Sequence, residues 1–326
     1  MTSLPVKNPI VAQIRGSLQQ LLALVSLIAI LAFFSFASPY FFTPDNLIGI
    51  LVATTVTGIL ALGTTFVIVS GGIDLSIGTG MILCGVMTGV FVTFWGWPIW
   101  AGVTGAILFG GLIGFVNGFN VSVLGLPPFI ATLGMMLVSS GLSLVISGTK
   151  PIYFKKHPDF ELLMNFSVVP GTRFPLGVLI FLILTVVAAV VLAKTIIGRY
   201  AFSIGSNEAA TALSGVNVVK WKITIYTLAG LFVGIAGVLA ASRLSSAQPV
   251  GGMGLELEAI AAVVIGGTSL QGGRGSIAGT VVGSLIVSVL TNGLRVTAVP
   301  QEWQSVVVGC VILVAVYVDM LRRKGA

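Results

Sequence analysis

The chain has 326 residues, 56% of them hydrophobic and only 8% charged, with a mean hydropathy of +1.11, whereas a soluble domain carries about a quarter charged residues. No soluble fold buries that much apolar surface. The formal net charge of +7, from 16 basic and 9 acidic residues, falls in the connections between apolar runs, where it reads as a topology signal and not as a nucleic-acid surface.

A bilayer core is about 30 Å thick and needs about 20 apolar residues per helical span. In chain order the apolar runs predict spans at roughly 18–38, 47–70, 78–95, 99–120, 127–147, 175–194, 223–243, 255–267, 276–298 and 302–321. The first follows Lys7 and Arg15, and Ser35-Phe36-Ala37 resembles a signal cleavage site. Its apolar run is long for a signal peptide, so it reads as a retained span. The eighth is short and reads as partial or re-entrant, which is tolerated only where freed backbone groups face protein or a water-filled cavity. The fold class expected is all-α, a polytopic transmembrane bundle of about ten spans. A tail at 1–17 and another at 322–326 would flank a single membrane domain at 18–321.

An even number of spans puts three basic groups on the cytoplasmic side, as the positive-inside rule prefers. These are Lys7 and Arg15; Lys194, Arg199, Lys220 and Lys222 around the loop 195–222; and Arg322, Arg323 and Lys324. The loop 148–174 dissents. It carries Lys150, Lys155, Lys156 and Arg173 against Asp159 and Glu161, yet the same count places it outside. Either a span is miscounted or those cations meet an acidic partner there.

Glycines recur at helix-contact spacing, as in Gly110, Gly114 and Gly118, Gly230 and Gly234, and Gly279 and Gly283. Small residues four apart let helix backbones approach closely in lipid. A weak internal echo relates VSGGIDL at 69–75 to VIGGTSL at 264–270, and Asn117-Gly118 to Asn292-Gly293, as in transporters built from two halves. The two pairs do not fit one topology together, so a repeat stays an open expectation.

The loop 195–222 holds GSNEAATALSG at 205–215. Ser206 or Asn207 can cap a short helix, Glu208 suits its first turn, the alanines favour it and Gly215 can end it. An Ala-rich, nearly neutral helix on the cytoplasmic face fits a docking knob for a partner. Cys84 and Cys310 lie in separate apolar runs and His157 is the sole histidine, which supports neither a disulfide framework nor a metal site. No nucleophile with its base is evident, so no catalytic residue is assigned. Asp74 is the one acid near the end of an early span. It is either an ionisable group at membrane depth, a default functional suspect, or a cap on the next helix with Ser76 assisting. Glu256 and Glu258 are two apart and so on different helix faces, which suits entry-mouth or interfacial positions. The candidates for a translocation path are Asp74, Ser76, Asn117, Asn120, Thr132, Ser269, Gln271 and Asn292, mostly neutral hydrogen-bonding groups that could bind a polyol weakly enough to release it.

The segment 205–215, the run GTTFVIVSGGIDLS at 63–76, and RLSSAQP at 243–249 leading into LELEAIAAVVIGGTSLQGGRGS at 255–276 together resemble the ribose-type permeases of bacterial ABC sugar importers. The likeness runs from about residue 41 to the C-terminus. It implies a permease paired with a second copy of itself, two cytoplasmic ATPase subunits that hold the ATP and magnesium, and a periplasmic sugar-binding protein. By the same resemblance Gly205, Asn207, Glu208, Ala209, Ala210 and Gly215 receive the ATPase stroke, while Lys150, Lys155, Lys156 and Arg173 are candidates for binding-protein docking. The glycines at 266–276 do not make a phosphate loop, because Gly273-Arg274-Gly275-Ser276 lacks the lysine followed by Ser or Thr. No cofactor is therefore expected on this chain. The alternative is an ion-coupled secondary transporter of a small polar solute, for which Asp74 is the one plausible relay.

Overall fold

The computed structural model describes residues 9–168 and 174–324; Lys7 and Arg173 lie outside them. The helices are α1 Pro9–Ala37, α2 Pro44–Val69, α3 Ile77–Gly89 continued by a π turn Val90–Phe94, α4 Ile99–Ser122, α5 Pro128–Ser147, α6 Leu162–Asn165 and α7 Leu176–Lys194. They continue as α8 Ile196–Ser206, α9 Glu208–Leu213, α10 Val218–Arg243, α11 Leu255–Ile265, α12 Ile277–Val296 and α13 Gln301–Lys324. Two short strands, β1 Ile152–Tyr153 and β2 Ser246–Ala247, pair antiparallel with Ile152 opposite Ala247 and Tyr153 opposite Ser246.

Sequence signals explain many of these boundaries. Pro44 and Pro128 sit in first turns, where a missing N–H costs nothing, and Pro98 and Pro175 stand one residue before α4 and α7. Gly148 ends α5 in the left-handed region at φ 63°. Each of the ten predicted apolar stretches contains a helix. Among the described residues, seven helical stretches are long and apolar enough to cross a membrane. Of the other three, α11 has 11 residues, about half a bilayer core at 1.5 Å per residue, and in α1 and α13 the described apolar stretches are Leu21–Ala37 and Gln301–Val314. The chain is thus a polytopic helical membrane protein.

Burial sorts the helices into an inner and an outer set. In the most apolar 18 residues of each, 78% are buried in Ile77–Phe94 and 61% in α2 and α10, against 22% in α5. The outer helices keep large apolar side chains on the surface, Leu108, Leu137, Val145 and Val186 among them. In water that would be an aggregation liability; in a bilayer it is the lipid-facing coat.

The most extensive packing joins α4 to α10, and the glycine spacing accounts for it. A Cβ on Gly110 would collide with the Gly230 carbonyl, one on Gly114 with the Tyr226 carbonyl, and one on Gly234 would lie 2.7 Å from Ile107 Cα. Backbone meets backbone along this seam, leaving no room for a side chain. Gly279 and Gly283 do the same against Gly266 and Ala262, docking α12 on the end of α11.

The loop expected at 195–222 is mostly helical, because Gly198, Ala201 and Ile204 fall on one face and bury it. The short helix within it spans only Glu208–Leu213, so Gly205 belongs to α8 and does not flank α9.

Replacing Gly114 by Leu should drive α4 from α10 and cost about 3 kcal/mol or more, read as a lower melting temperature in detergent. Gly134→Leu is the control, since nothing lies within 4 Å of its Cβ position, and it should melt as the parent does.

Candidate functional site

The short helix expected in the sequence has the predicted cap. Asn207 ends α8 and begins α9 with extended backbone, φ −161° and ψ 100°, and its Oδ1 accepts from the Ala210 N–H at 2.9 Å. Gly215 closes the turn at φ 82°, where a side chain would be strained. Glu208, in the first turn, receives both its contacts from Lys222 Nζ at 2.7 Å. Ala209 and Ala210 are exposed, and Leu213 is 90% exposed. A capped helix with a small, apolar exposed face is therefore clamped to the first turns of α10.

Gly205 does a different job. A Cβ there would collide with the Val69 carbonyl and lie 2.7 Å from the Gly273 N–H nitrogen. That N–H in turn donates to the Val69 carbonyl at 2.8 Å. The end of α2, the end of α8 and the glycine turn at 266–276 thus meet at one point. Ser269 and Gln271 lie in that turn, Gln271 exposed.

Four of the path candidates converge on the segment 70–76. Asp74 is buried. Its Oδ1 accepts from the Ser76 N–H at 2.8 Å and the Ser76 hydroxyl at 2.7 Å, and Asn117 Nδ2 approaches Oδ2 at 3.3 Å and donates to Ser76 Oγ at 2.8 Å. Thr132 Oγ1 accepts from the Leu75 N–H at 3.1 Å. The N-cap of α3 is Ser76, which has no side-chain cap bond, so Asp74 braces the turn that leads into the helix. It does so inside protein and not at a wet interface, so its charge depends on these donors. Asn117 lies five residues before the end of α4, about 7 Å along the axis, and Tyr226 eight residues into α10, about 12 Å. The 70–76 segment folds back into the bundle, and α3 starts well inside it.

The remaining candidates are dispersed. Asn292 Nδ2 donates to Asn46 Oδ1 at 3.0 Å, bridging α12 to α2. Asn120 is half-buried on α4, outside the Asp74 cluster.

A second interrupted stretch, 244–254, descends alongside α3. At one end β2 is laddered to β1; at the other, a Cβ on Gly78 would collide with the Gly252 carbonyl. Glu256, at the start of α11, is buried, with Oε1 accepting from the Gly254 N–H at 2.9 Å. That overturns its reading as an entry-mouth residue: the descending segment carries α11 into the interior.

At the β-ladder end, 148–168 forms a folded cap. The Ser242 hydroxyl donates to the Phe160 carbonyl at 2.8 Å and accepts from the Met164 N–H at 3.0 Å, and Phe154 stacks on Phe160 with centroids 4.0 Å apart. Lys150, Lys155 and Lys156 are exposed on it, Lys155 lying 5.7 Å from the Tyr153 ring centroid.

Sequence reasoning missed Tyr226 and Lys222 as neighbours of the 70–76 segment. They stand four apart on α10, on one face, and with Ser70, Gly71 and Gly72 line a small cavity beside the 70–76 segment. The available signal was a lysine one turn before a tyrosine at the start of an apolar run.

The family model described as "Branched-chain amino acid transport system / permease component" matches residues 46–316. The ribose import permease protein of Escherichia coli (strain K12) is 42% identical over 301 residues, covering 92% of this chain and 94% of that protein. The ribose import permease protein of Bacillus subtilis (strain 168) is 40% identical, covering 95% of each, and the fructose import permease protein of Rhizobium meliloti is 36% identical, covering 93% of this chain and 85% of that one. No solved structure matches the chain.

Removing the cap by Asn207→Ala should cost α9 about 1 kcal/mol. Amide exchange at 208–213 should then quicken by about fivefold, with the amides of α10 unchanged.

Proposed function

Because the chain belongs to the branched-chain amino acid transport system / permease component family, we propose that it is the membrane-spanning subunit of an ATP-driven importer in the bacterial cytoplasmic membrane, forming the path for a ribose-like monosaccharide. The observation that carries this is identity to ribose import permeases over nearly the whole of both chains. ATP and magnesium belong, on this reading, to separate cytoplasmic ATPase subunits, since the glycine turn at 266–276 lacks a phosphate-loop lysine. A periplasmic binding protein delivers the sugar, and a second copy of the chain completes the path.

Several features support the finer assignments. Counting α1, α11 and α13 as spans gives ten and puts α9 on the cytoplasmic side, where its exposed Ala209, Ala210 and Leu213 offer a surface to an ATPase. The folded cap 148–168 is then periplasmic, and its lysines offer charge to an acidic binding-protein surface. An internal duplication has some support in α2 and α11, which end at Val69 and Ile265 before side-by-side glycine turns joined by the Gly273 to Val69 hydrogen bond. Asp74, Ser76, Asn117 and Thr132 form the interior polar station of the path, with Ser269 and Gln271 below it. Asn292 serves to hold helices together.

In liposomes containing the permease and its ATPase subunits, D-ribose uptake should require both ATP and binding protein. Glu208→Arg should reduce it at least about tenfold with the protein still in the membrane; uptake driven by a proton gradient alone would reject the proposal. Exchanging Lys155 and Lys156 for Glu should weaken docking of the binding protein in a binding titration, more at low salt than at high.

A further inference from the structure

Tyr226 heads the fully buried side chains by size among the described residues, yet its hydroxyl has no hydrogen-bond partner among them, and neither has the Asn117 Oδ1. Native interiors rarely keep such groups, and each one calls for an explanation. The surroundings favour a second arrangement. The Tyr226 Cβ lies 3.1 Å from the Cβ position of Gly118, and its hydroxyl presses against Gly72, where a Cβ would collide with it. Asp74 stands two residues beyond Gly72, and its partner Asn117 is next to Gly118, so Tyr226 packs against the neighbours of Asp74 on both sides. The Asp74 carboxylate has several acceptor sites, and the donors already described load Oδ1 while Oδ2 has only the 3.3 Å approach of Asn117.

One turn earlier on the same face of α10, Lys222 is held by Glu208 of α9 at 2.7 Å. One turn beyond Asp74, the first turn of α3 meets the descending segment, where Gly78 packs against Gly252 and against Glu256 Oε2, itself buried and without a partner among the described residues. A continuous set of contacts thus runs from the exposed helix α9 to the interior junction of α3 and α11. Its one open joint is between Tyr226 and Asp74.

We infer that the Tyr226 hydroxyl and the Asp74 carboxylate form a latch, hydrogen-bonded in one transport state and open in the conformation seen here, through which α10 passes a displacement of α9 to the 70–76 segment and the start of α3. This rests on the chain being an ATP-driven permease. Tyr226 is a positioning residue in this scheme: it acts on α3 through Asp74. The bond would be absent from this state, so it biases the equilibrium between states and does not merely stabilise both.

A tyrosine that only fills space predicts that Tyr226→Phe is neutral or stabilising and leaves coupling intact. The latch predicts otherwise. With the permease and its ATPase subunits in liposomes, ATP hydrolysis is measured with and without binding protein loaded with D-ribose. Tyr226→Phe should assemble fully, melt at or above the parent temperature and keep its basal hydrolysis, while stimulation by binding protein falls about tenfold. Asp74→Asn should lose stimulation too, and the double variant should lose no more than the worse single one, since both remove the same bond. Full stimulation in Tyr226→Phe overturns the latch, as does a loss that tracks a lowered melting temperature or additive losses in the double variant. A parent complex that binding protein does not stimulate overturns the permease reading and the latch with it.

Discussion

An interrupted helix inside a bilayer must find new partners for its freed backbone groups, and this constraint organises the structure. The segments 70–76 and 244–254 both break the helical ladder. The first is sealed by Asp74, which takes the Ser76 N–H, and by Thr132, which takes the Leu75 N–H. The second is sealed by the two-residue ladder to β1 and by Glu256, which takes the Gly254 N–H. Glycine makes this possible at the contact itself, since Gly78 in the first turn of α3 meets Gly252 of the second segment backbone to backbone. Acids that composition alone would place at the surface are buried because they replace water as partners for main-chain donors.

Much of this was legible in the sequence. The ten helical stretches follow from apolar runs bounded by glycine, proline and charge, because lipid demands a long apolar segment and sequence records it directly. The cap at Asn207 and the stop at Gly215 were legible because they depend on residues a few positions apart. The glycine seams were legible as spacing, though not their partners: nothing near Gly114 says that it faces the carbonyl of Tyr226. What sequence could not reveal is long-range convergence. Asn117 and Asn292 sit in the same dipeptide, yet one reaches Asp74 and the other Asn46. Gly205 looked like punctuation beside a short helix, and its true neighbours lie more than sixty positions away in either direction, at Val69 and Gly273. The helix α8 was read as loop because its buried face consists only of Gly198, Ala201 and Ile204, a pattern too short to stand out.

The relatives are named for different sugars, ribose and fructose among them, and the interior of this chain offers a physical reason why one scaffold can serve several. The polar groups of the Asp74 cluster are largely spent on holding backbone in place, which leaves few to read the pattern of hydroxyls on a particular ring. Recognition of a polyol by a site that must reject its isomers needs dedicated, unpaired hydrogen-bonding groups. On the proposed function, selection then falls on the partner that delivers the sugar.

The α4–α10 seam has a mechanical consequence. At Gly110, Gly114, Gly230 and Gly234 backbone lies against backbone, and those contacts have no side-chain rotamers that could change to absorb a shift, so the two helices behave as a single stiff beam. The helix α10 has 26 residues, about 39 Å at 1.5 Å per residue. A tilt of about 5° imposed at the α9 end would sweep the far end by about 3 Å at that length, a full hydrogen-bond distance. The far end carries Ser242, bonded into the folded cap. A lever of that stiffness leaves the two faces of the membrane little freedom to move independently.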